Sequence, residues 1–297
     1  MKGYTKENTF SINRLCKLLG VSRMVYYRSQ WSIRRSQCRA SEVVDKVQEL
    51  RMYMPRIGTR KSYHLLNKEM RNLGVGRDKM FDILRANHML LEPKRSYHIT
   101  TNSHHRFHKY KNIVENLDIR RPEQVWVADI TYIGGRDKHC YLSLVTDAYS
   151  KKIVGFDLSN SLDTSSCIRA LNMAKRNRTY PDEPLIHHSD RGIQYCSNQY
   201  QAALSRYSIT PSMTESYDPY ANAVAERVNG ILKQEFFLED INLSLPMMKH
   251  VVSDAIRTYN TMRPHLSCSY LTPEQMHHQS FVKIKKYKSK KISIPAS

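Results

Sequence analysis

Three carboxylates in this chain stand where a carboxylate needs a reason. Asp129 lies inside the alternating run VWVADITYI (125–133), and a charge within an apolar strand is costly to bury unpartnered. Asp190 ends the short apolar stretch PLIHHSD (184–190) and opens the turn SDRG. Glu226 lies on a helix expected near Asn222 to Leu238, with 35 residues separating it from Asp190. Singly, each has an ordinary role: a strand-edge carboxylate bonded to backbone, a turn former, a surface glutamate. Brought to one point, the three would repel one another and demand cations. Hard oxygen donors suit Mg²⁺ or Mn²⁺. Two such ions ~3.5–4 Å apart activate an attacking oxygen and stabilise a leaving one in phosphoryl transfer.

The elements around these residues are expected to position them. VWVADITYI places Val127, Asp129, Thr131 and Ile133 on one face of a strand. The stretches 141–149 and 152–159 follow as strands, and GGRDKH (134–139) has hairpin chemistry. A helix near Thr164 to Asn177, a strand at 184–190, a helix near Ser197 to Tyr207, a strand at 208–213 and the Glu226 helix complete the order. Three antiparallel strands followed by alternating strands and helices describe a mixed α/β fold, the order of the RNase H-like fold. In that topology the first and fourth strands are neighbours and the later helix packs across them, which would bring the three carboxylates together. Mainly helix is expected from Leu245 to Met276, interrupted at RPH (263–265).

Ahead of this core the pattern is all-α. Residues 11–29 read as two short helices around Gly20, with Ile12, Leu15, Leu18 and Leu19 at helical spacing and Ser22 as a cap. A larger three-helix pattern follows: Glu42 to Tyr53, Thr59 to Asn72, and Arg77 to Asn87, the last carrying Arg77, Lys79 and Arg85. Helix-turn-helix is the reading, with Arg77 and Lys79 facing a DNA groove. The expected organisation is therefore a short helix-turn-helix at 1–40, a helix-turn-helix DNA-binding domain at 41–91, a basic linker at 92–124, the catalytic core with its C-terminal helices at 125–282, and a basic tail at 283–297. His104, His105 and His108 in the linker lack a cysteine pair at ligand spacing, which favours a basic segment over a zinc site.

The net charge of +20 points to a polyanionic partner. Its distribution says more: residues 1–124 carry a net +15, residues 125–282 a net −1, and residues 283–297 a net +6. Basic arms that hold phosphates, flanking a core that must itself hold cations, would show this segregation. No apolar run approaches the ~20 residues of a membrane span, and MKGYTKENTF lacks the apolar stretch of a signal peptide. A cytoplasmic location is expected. The six cysteines form no C-x-x-C pair and are expected as reduced, mostly buried thiols.

WVADITYI, HHSDRGIQY and NAVAERVNGILKQEF together closely resemble the D-D-35-E signature of retroviral-integrase-type enzymes. YNTMRPH (259–265) resembles the Y-N-x-x-R-P-H block of bacterial insertion-sequence transposases, and PRIGTRKSYHLLNKE (55–69) looks like the helix-turn-helix that precedes their core. The likeness spans roughly residues 10 to 276 and is greatest to the second-reading-frame (OrfB) product. It implies a DDE transposase that cleaves DNA at the element's ends and transfers the strand, with two Mg²⁺ or Mn²⁺ ions on Asp129, Asp190 and Glu226. It further implies DNA contacts by Lys233, seven residues beyond Glu226 and otherwise a surface lysine, by Asn222, otherwise a helix N-cap, and by Gln194 and Tyr195, which position DNA or the loop itself; for Arg263 and His265 a structural role weighs at least as much as a DNA contact. A homo-oligomer on paired ends is implied, as is an upstream-frame (OrfA) partner or fusion, in a nucleoid-associated bacterial protein. Ala221 stands where many relatives have an acidic residue, and the zinc-binding module of retroviral integrases has no counterpart, which favours the bacterial class. A non-catalytic DNA-binding regulator is the alternative, and an RNase H-type nuclease a weaker one.

Overall fold

The computed structural model describes residues 11–92, 108–115, 117–135, 138–214 and 223–282. Asn222, Ala221, residues 93–107 of the basic linker with His104 and His105, and the tail at 283–297 lie outside these residues. The chain forms two compact units, one of residues 1–50 and 62–90, the other of 51–61 and 91–297.

The first unit is helical. Helix α1 (Ile12–Leu18) starts at Ser11, whose side chain accepts from the Arg14 N–H. Helix α2 (Arg23–Tyr53) runs without a break for 31 residues. Two separate helices, at 22–29 and 42–53, were expected; neither Gly nor Pro occurs between Val21 and Met54 to end the first. The expected boundary at residue 40 thus falls inside α2. Only Val43 and Val47 of α2 are buried. They join Met70, Val75, Met80, Ile83 and Leu84 in the core of the unit. The single helix expected at 59–72 is broken at Leu66 into α3 (Thr59–Leu65) and α4 (Asn67–Asn72). Gly74 then takes the left-handed φ of +65° that ends a helix readily only with glycine, and α5 (Arg77–Ala86) follows.

The second unit is built on a five-stranded sheet, in the order β3-β2-β1-β4-β5. Strands β1 (Val125–Gly135), β2 (Lys138–Asp147) and β3 (Ile153–Ser159) form the expected antiparallel meander. Helix α6 (Thr164–Arg176) leads to β4 (Ile186–Ser189), which pairs parallel with β1. A one-turn helix α7 (Ile193–Cys196), absent from the sequence reading, and α8 (Asn198–Arg206) lead to β5 (Thr210–Met213), parallel to β4. This is the RNase H-like arrangement of the α/β class. Helix α9 (Ala223–Glu235), α10 (Leu245–Thr261), a 3₁₀ turn at Leu266–Cys268 and α11 (Pro273–His277) complete the unit.

Alternation along β1 divides the core. Trp126 and Ala128 face a cluster with Leu171, Ala174, Tyr195, Tyr200 and Leu204. Val125 and Val127 face Ala148 and Ala225, the latter on α9. Asp129 shares the parity of Val125 and Val127 and therefore faces α9. On the other side, Gly155 lets β3 press against α6: a Cβ there would lie 2.1 Å from the Ala170 carbonyl oxygen and 2.8 Å from the Ala174 nitrogen.

Two carboxylates unremarked in the sequence, Glu123 and Asp147, are fully buried at the start of β1 and the end of β2. Glu123 accepts from the Thr179 and Tyr180 N–H groups and from Arg178 Nε, at 2.7, 3.1 and 3.1 Å. Burial works against its charge, yet His277 and these donors hold it down at about 2. Asp147 accepts from Ser150 Oγ at 2.6 Å, and that hydroxyl lies 3.0 Å from His277 Nδ1 on α11. The C-terminal helix is thereby fastened beneath the sheet. No helix among the described residues is long and apolar enough to cross a membrane. Five of the six cysteines are buried and free, and Cys38 is exposed and free, as expected of reduced thiols.

Candidate active site

The register brings two of the three carboxylates side by side. Pairing of β1 with β4 ends at Ala128↔Ser189, so Asp129 and Asp190 are the next residue on each strand. Asp129 Oδ1 accepts from the Ile130 N–H at 2.9 Å. Its Oδ2 accepts from Asn229 Nδ2 at 2.7 Å, a bond that ties α9 to the centre of the sheet. Asp190 Oδ1 accepts from the Gly192 N–H at 3.0 Å, which folds the loop back over it. Gly192 is small for a reason, because a Cβ there would lie 3.0 Å from that same oxygen.

The electrostatics register all three carboxylates. Burial, then the neighbouring Asp190, push Asp129 up to about 8, with Glu226 adding to the rise and the Ile130 N–H and Lys233 opposing it. Glu226 is exposed on the first turn of α9 and is itself raised by the partial burial of its carboxyl. Lys233 is lowered by burial, against the pull of Glu239 and Asp129. Glu226, Asn229 and Lys233 recur at i, i+3 and i+7 and so share one face of α9. Among the described residues no three His, Cys, Asp or Glu side chains form a closed ligand set. The donors nevertheless fit a hard cation: two adjacent carboxylates, a third nearby, and the buried Asn229 Oδ1, which has no hydrogen-bond partner. Asn229 was missed in the sequence, where an asparagine inside a helix carries no signal of its own; its spacing of three from Glu226 is the only hint.

The remaining candidates divide. Gln194 and Tyr195, read as DNA contacts, are enclosed: Gln194 Nε2 donates to the Leu162 carbonyl at 3.2 Å, and Tyr195 meets Tyr200 edge to face at 5.3 Å. Buried in this way, they hold the loop after Asp190 against the core instead of facing DNA. Arg263 is corrected in the same way. It is 1 % exposed, and its guanidinium meets both carboxylate oxygens of Glu235 at 2.7 Å, with Nη1 2.8 Å from His265 Nε2. A guanidinium used on a carboxylate inside the protein has no fork left for phosphate. Arg77 and Lys79 are exposed on the first turn of α5, with Arg77 2.9 Å from Asp78. Asn222 lies outside the described residues.

Comparison with known proteins agrees with this core. Two family models, each described as integrase core domain, match residues 119–219 and 207–273. The chain is 32% identical over 226 residues to the "Insertion element IS600 uncharacterized 31 kDa protein" of Shigella sonnei, covering 74% of this chain and 81% of that protein. It is 29% identical over 287 residues to "Transposase InsF for insertion sequence IS3fB" of Escherichia coli (strain K12), covering 91% and 95%. The HTLV-2 integrase catalytic core domain in complex with magnesium is similar at 22% identity and a TM-score of 0.43, over 53% of this chain and 98% of that one. The chain belongs to the transposases of bacterial insertion sequences that carry an integrase core domain.

Proposed function

We propose that Asp129, Asp190 and Glu226 are the catalytic carboxylates of this DDE transposase and that they hold two Mg²⁺ or Mn²⁺ ions. The observation that carries the reading is the 2.7 Å bond from Asn229 to Asp129, which fixes the Glu226 helix over the strand pair bearing Asp129 and Asp190. Such ions, when bound, activate the attacking oxygen and neutralise the leaving one in an in-line displacement at phosphorus. The chain supplies the rest. Asp129 and Asp190 provide fixed oxygen donors, and Asn229 holds the Asp129 carboxylate in one orientation. Lys233, on the same helix face, offers its ammonium to a DNA phosphate.

The reaction balances without oxidant or nucleotide. Water adds to a phosphodiester at the element's end, and the 3′ oxygen leaves with a proton as a hydroxyl. That hydroxyl then attacks a target phosphodiester, forming one P–O bond as another breaks. Duplex ends are held by the basic N-terminal region, with Arg77 and Lys79 on the helix-turn-helix, and by the basic tail. The working form is a homo-oligomer on paired ends, alone or joined to an upstream-frame (OrfA) product, in the cytoplasm at the nucleoid. No observation favours a purely regulatory DNA binder, because the catalytic fold is present from its first strand to its last helix.

The test is strand joining with a duplex carrying the element's terminal repeat, pre-nicked at the 3′ end, in Mg²⁺ or Mn²⁺. Wild type joins strands, while Asp190→Asn binds the duplex and joins none. Joining by Asp190→Asn, or binding without joining by wild type under both ions, would overturn the assignment.

A further inference from the structure

Helix α9 is held at a second point, far from Asp129. The carboxylate of Glu235, its last residue, accepts from Arg263 Nε and Nη2 at 2.7 Å and from Lys61 Nζ at 3.0 Å. The Glu235 carbonyl accepts from the Arg56 N–H at 3.1 Å. One glutamate thus gathers three stretches of the second unit: 54–61, the end of α9, and 263–265. Lys61 and Glu235 are each only 19% exposed at the side chain, so water weakens the pair little.

The two attachments point about 120° apart around the helix, because six residues at ~100° each separate Asn229 from Glu235. Nine residues at ~100° each put Glu235 about half a turn from Glu226, while Asn229 falls near the Glu226 side. Pins on different faces fix rotation as well as position. Loosening one allows rotation, and a turn of ~20° sweeps a side chain at ~5 Å radius through ~2 Å. Misplacement of ~1 Å at a reacting centre is worth about 10²-fold in rate.

We propose that Lys61 is a positioning residue for strand transfer: with Arg263 it holds Glu235 and so sets the rotation of α9, which bears Glu226, Asn229 and Lys233. The proposal rests on the reading of α9 as the helix that brings Glu226 to the catalytic ions. Arg263 reaches both carboxylate oxygens, so the helix end stays attached without Lys61; the ammonium of Lys61, 3.0 Å from Oε1 on the 54–61 side, fixes the angle at which that carboxylate sits. The groups facing Lys61 are Glu235 and Arg227 on α9 and Arg263 beyond α10. His265, behind Arg263, is kept neutral by burial and by Arg263, Lys61, Lys151 and Arg227. Burial, with Arg263 adding to it, brings Lys61 down from 10.5 to about 8, against the pull of Glu235. Because this value is depressed, losing the proton above pH 8 relieves a buried cation: between 8 and 10.5 the unfolded chain binds more protons, and stability from this group rises. The tie to Glu235 weakens over the same range. Activity and stability therefore part company.

The full chain is compared as wild type, Lys61→Met and Lys61→Arg, first by amide hydrogen exchange of the metal-free protein at neutral pH. Single-turnover joining of a pre-nicked terminal-repeat duplex in Mn²⁺ is then followed from acid to alkaline pH. Lys61→Met is expected to speed exchange across 229–235 and to slow joining about tenfold or more, with duplex affinity unchanged. Wild-type joining falls above pH 8 without loss of thermal stability, and Lys61→Arg, which keeps its charge, joins as wild type at neutral pH and lacks that fall. Unchanged exchange in Lys61→Met, or a wild-type alkaline fall in Lys61→Arg, overturns the proposal. If Lys61→Met fails to fold, the Lys61→Arg profile decides. Joining by Glu226→Gln at the wild-type rate would instead remove the reading of the site, while the exchange data still judge the tie.

Discussion

Without metal, the protein is expected to lose stability as pH rises through the range in which Asp129 titrates, and Asp129→Asn removes that loss. Burial, Asp190 and Glu226 raise this carboxyl from 3.8 to about 8. Below the lower value it is protonated in both the folded and the unfolded chain and contributes nothing. Between the two values the unfolded chain has released the proton and the folded chain still holds it, so the folded state loses ground with each step in pH. Above 8 the penalty is constant. At ~1.36 kcal/mol per pH unit the upper limit is roughly 6 kcal/mol. Asp129 keeps some exposure to water, and screening reduces the expected size to roughly 2–4 kcal/mol. Asparagine preserves the shape and the bond from Ile130, and the unpartnered Asn229 Oδ1 can accept from the new amide after a flip of its own. The assay is urea denaturation in a chelator at about pH 5, 7 and 9. The wild type should fall relative to the variant by most of that amount, and excess Mn²⁺ should restore the wild type alone, because only it keeps the full proposed ligand set. Parallel stability curves for the two proteins would refute the reasoning, since they would mean that neither burial nor the neighbouring carboxylates penalise a charged Asp129.

Three further outcomes follow from single contacts. Asn229→Ala removes a bond to Asp129 worth about 0.5–1.5 kcal/mol while that carboxyl keeps its proton and should weaken Mn²⁺ binding by about tenfold or more, read by calorimetric titration. Gly155→Ala drives a methyl into the backbone of α6 at Ala170 and Ala174; the cost should be about 1–3 kcal/mol or above, measured by denaturant midpoint. Native-state alkylation followed by mass spectrometry should label Cys38 first among the six cysteines, because the other five are buried.

Much of the core was legible because its signals are local. Alternation around Asp129 and the glycines at 134–135 defined the first hairpin, and an apolar run ending in aspartate defined β4. The pairing of β1 with β4 was reached through topology, since neither strand announces its partner. What stayed hidden depended on distant partners. Arg263 looks like any other arginine on a basic chain; only the fold brings Glu235, 28 positions earlier, into its fork. Glu123, Asp147 and His277 are ordinary residues in sequence and a buried charge cluster in space. Helix α2 was misread for the opposite reason: between Gln30 and Ser41 the chain is polar and basic with no apolar period, and the absence of a breaker is a weaker signal than periodicity.

The β1–β4 pairing also sets an order of events during synthesis. Val125 and its partner Ile186 are 61 positions apart in the chain. At ~5–20 residues per second that gap amounts to roughly 3–12 s of translation. During it, β1 can pair with β2 yet presents a bare edge on its other side, the kind of template on which nascent chains aggregate. A chaperone that shields one sheet edge for seconds should raise the yield of soluble protein more than one that shields exposed helices. Asp129 also waits through that interval without its neighbour, so on the proposed assignment a ribosome-bound chain that has not yet added β4 has no paired carboxylates to offer a cation, and nicking of DNA awaits the fourth strand.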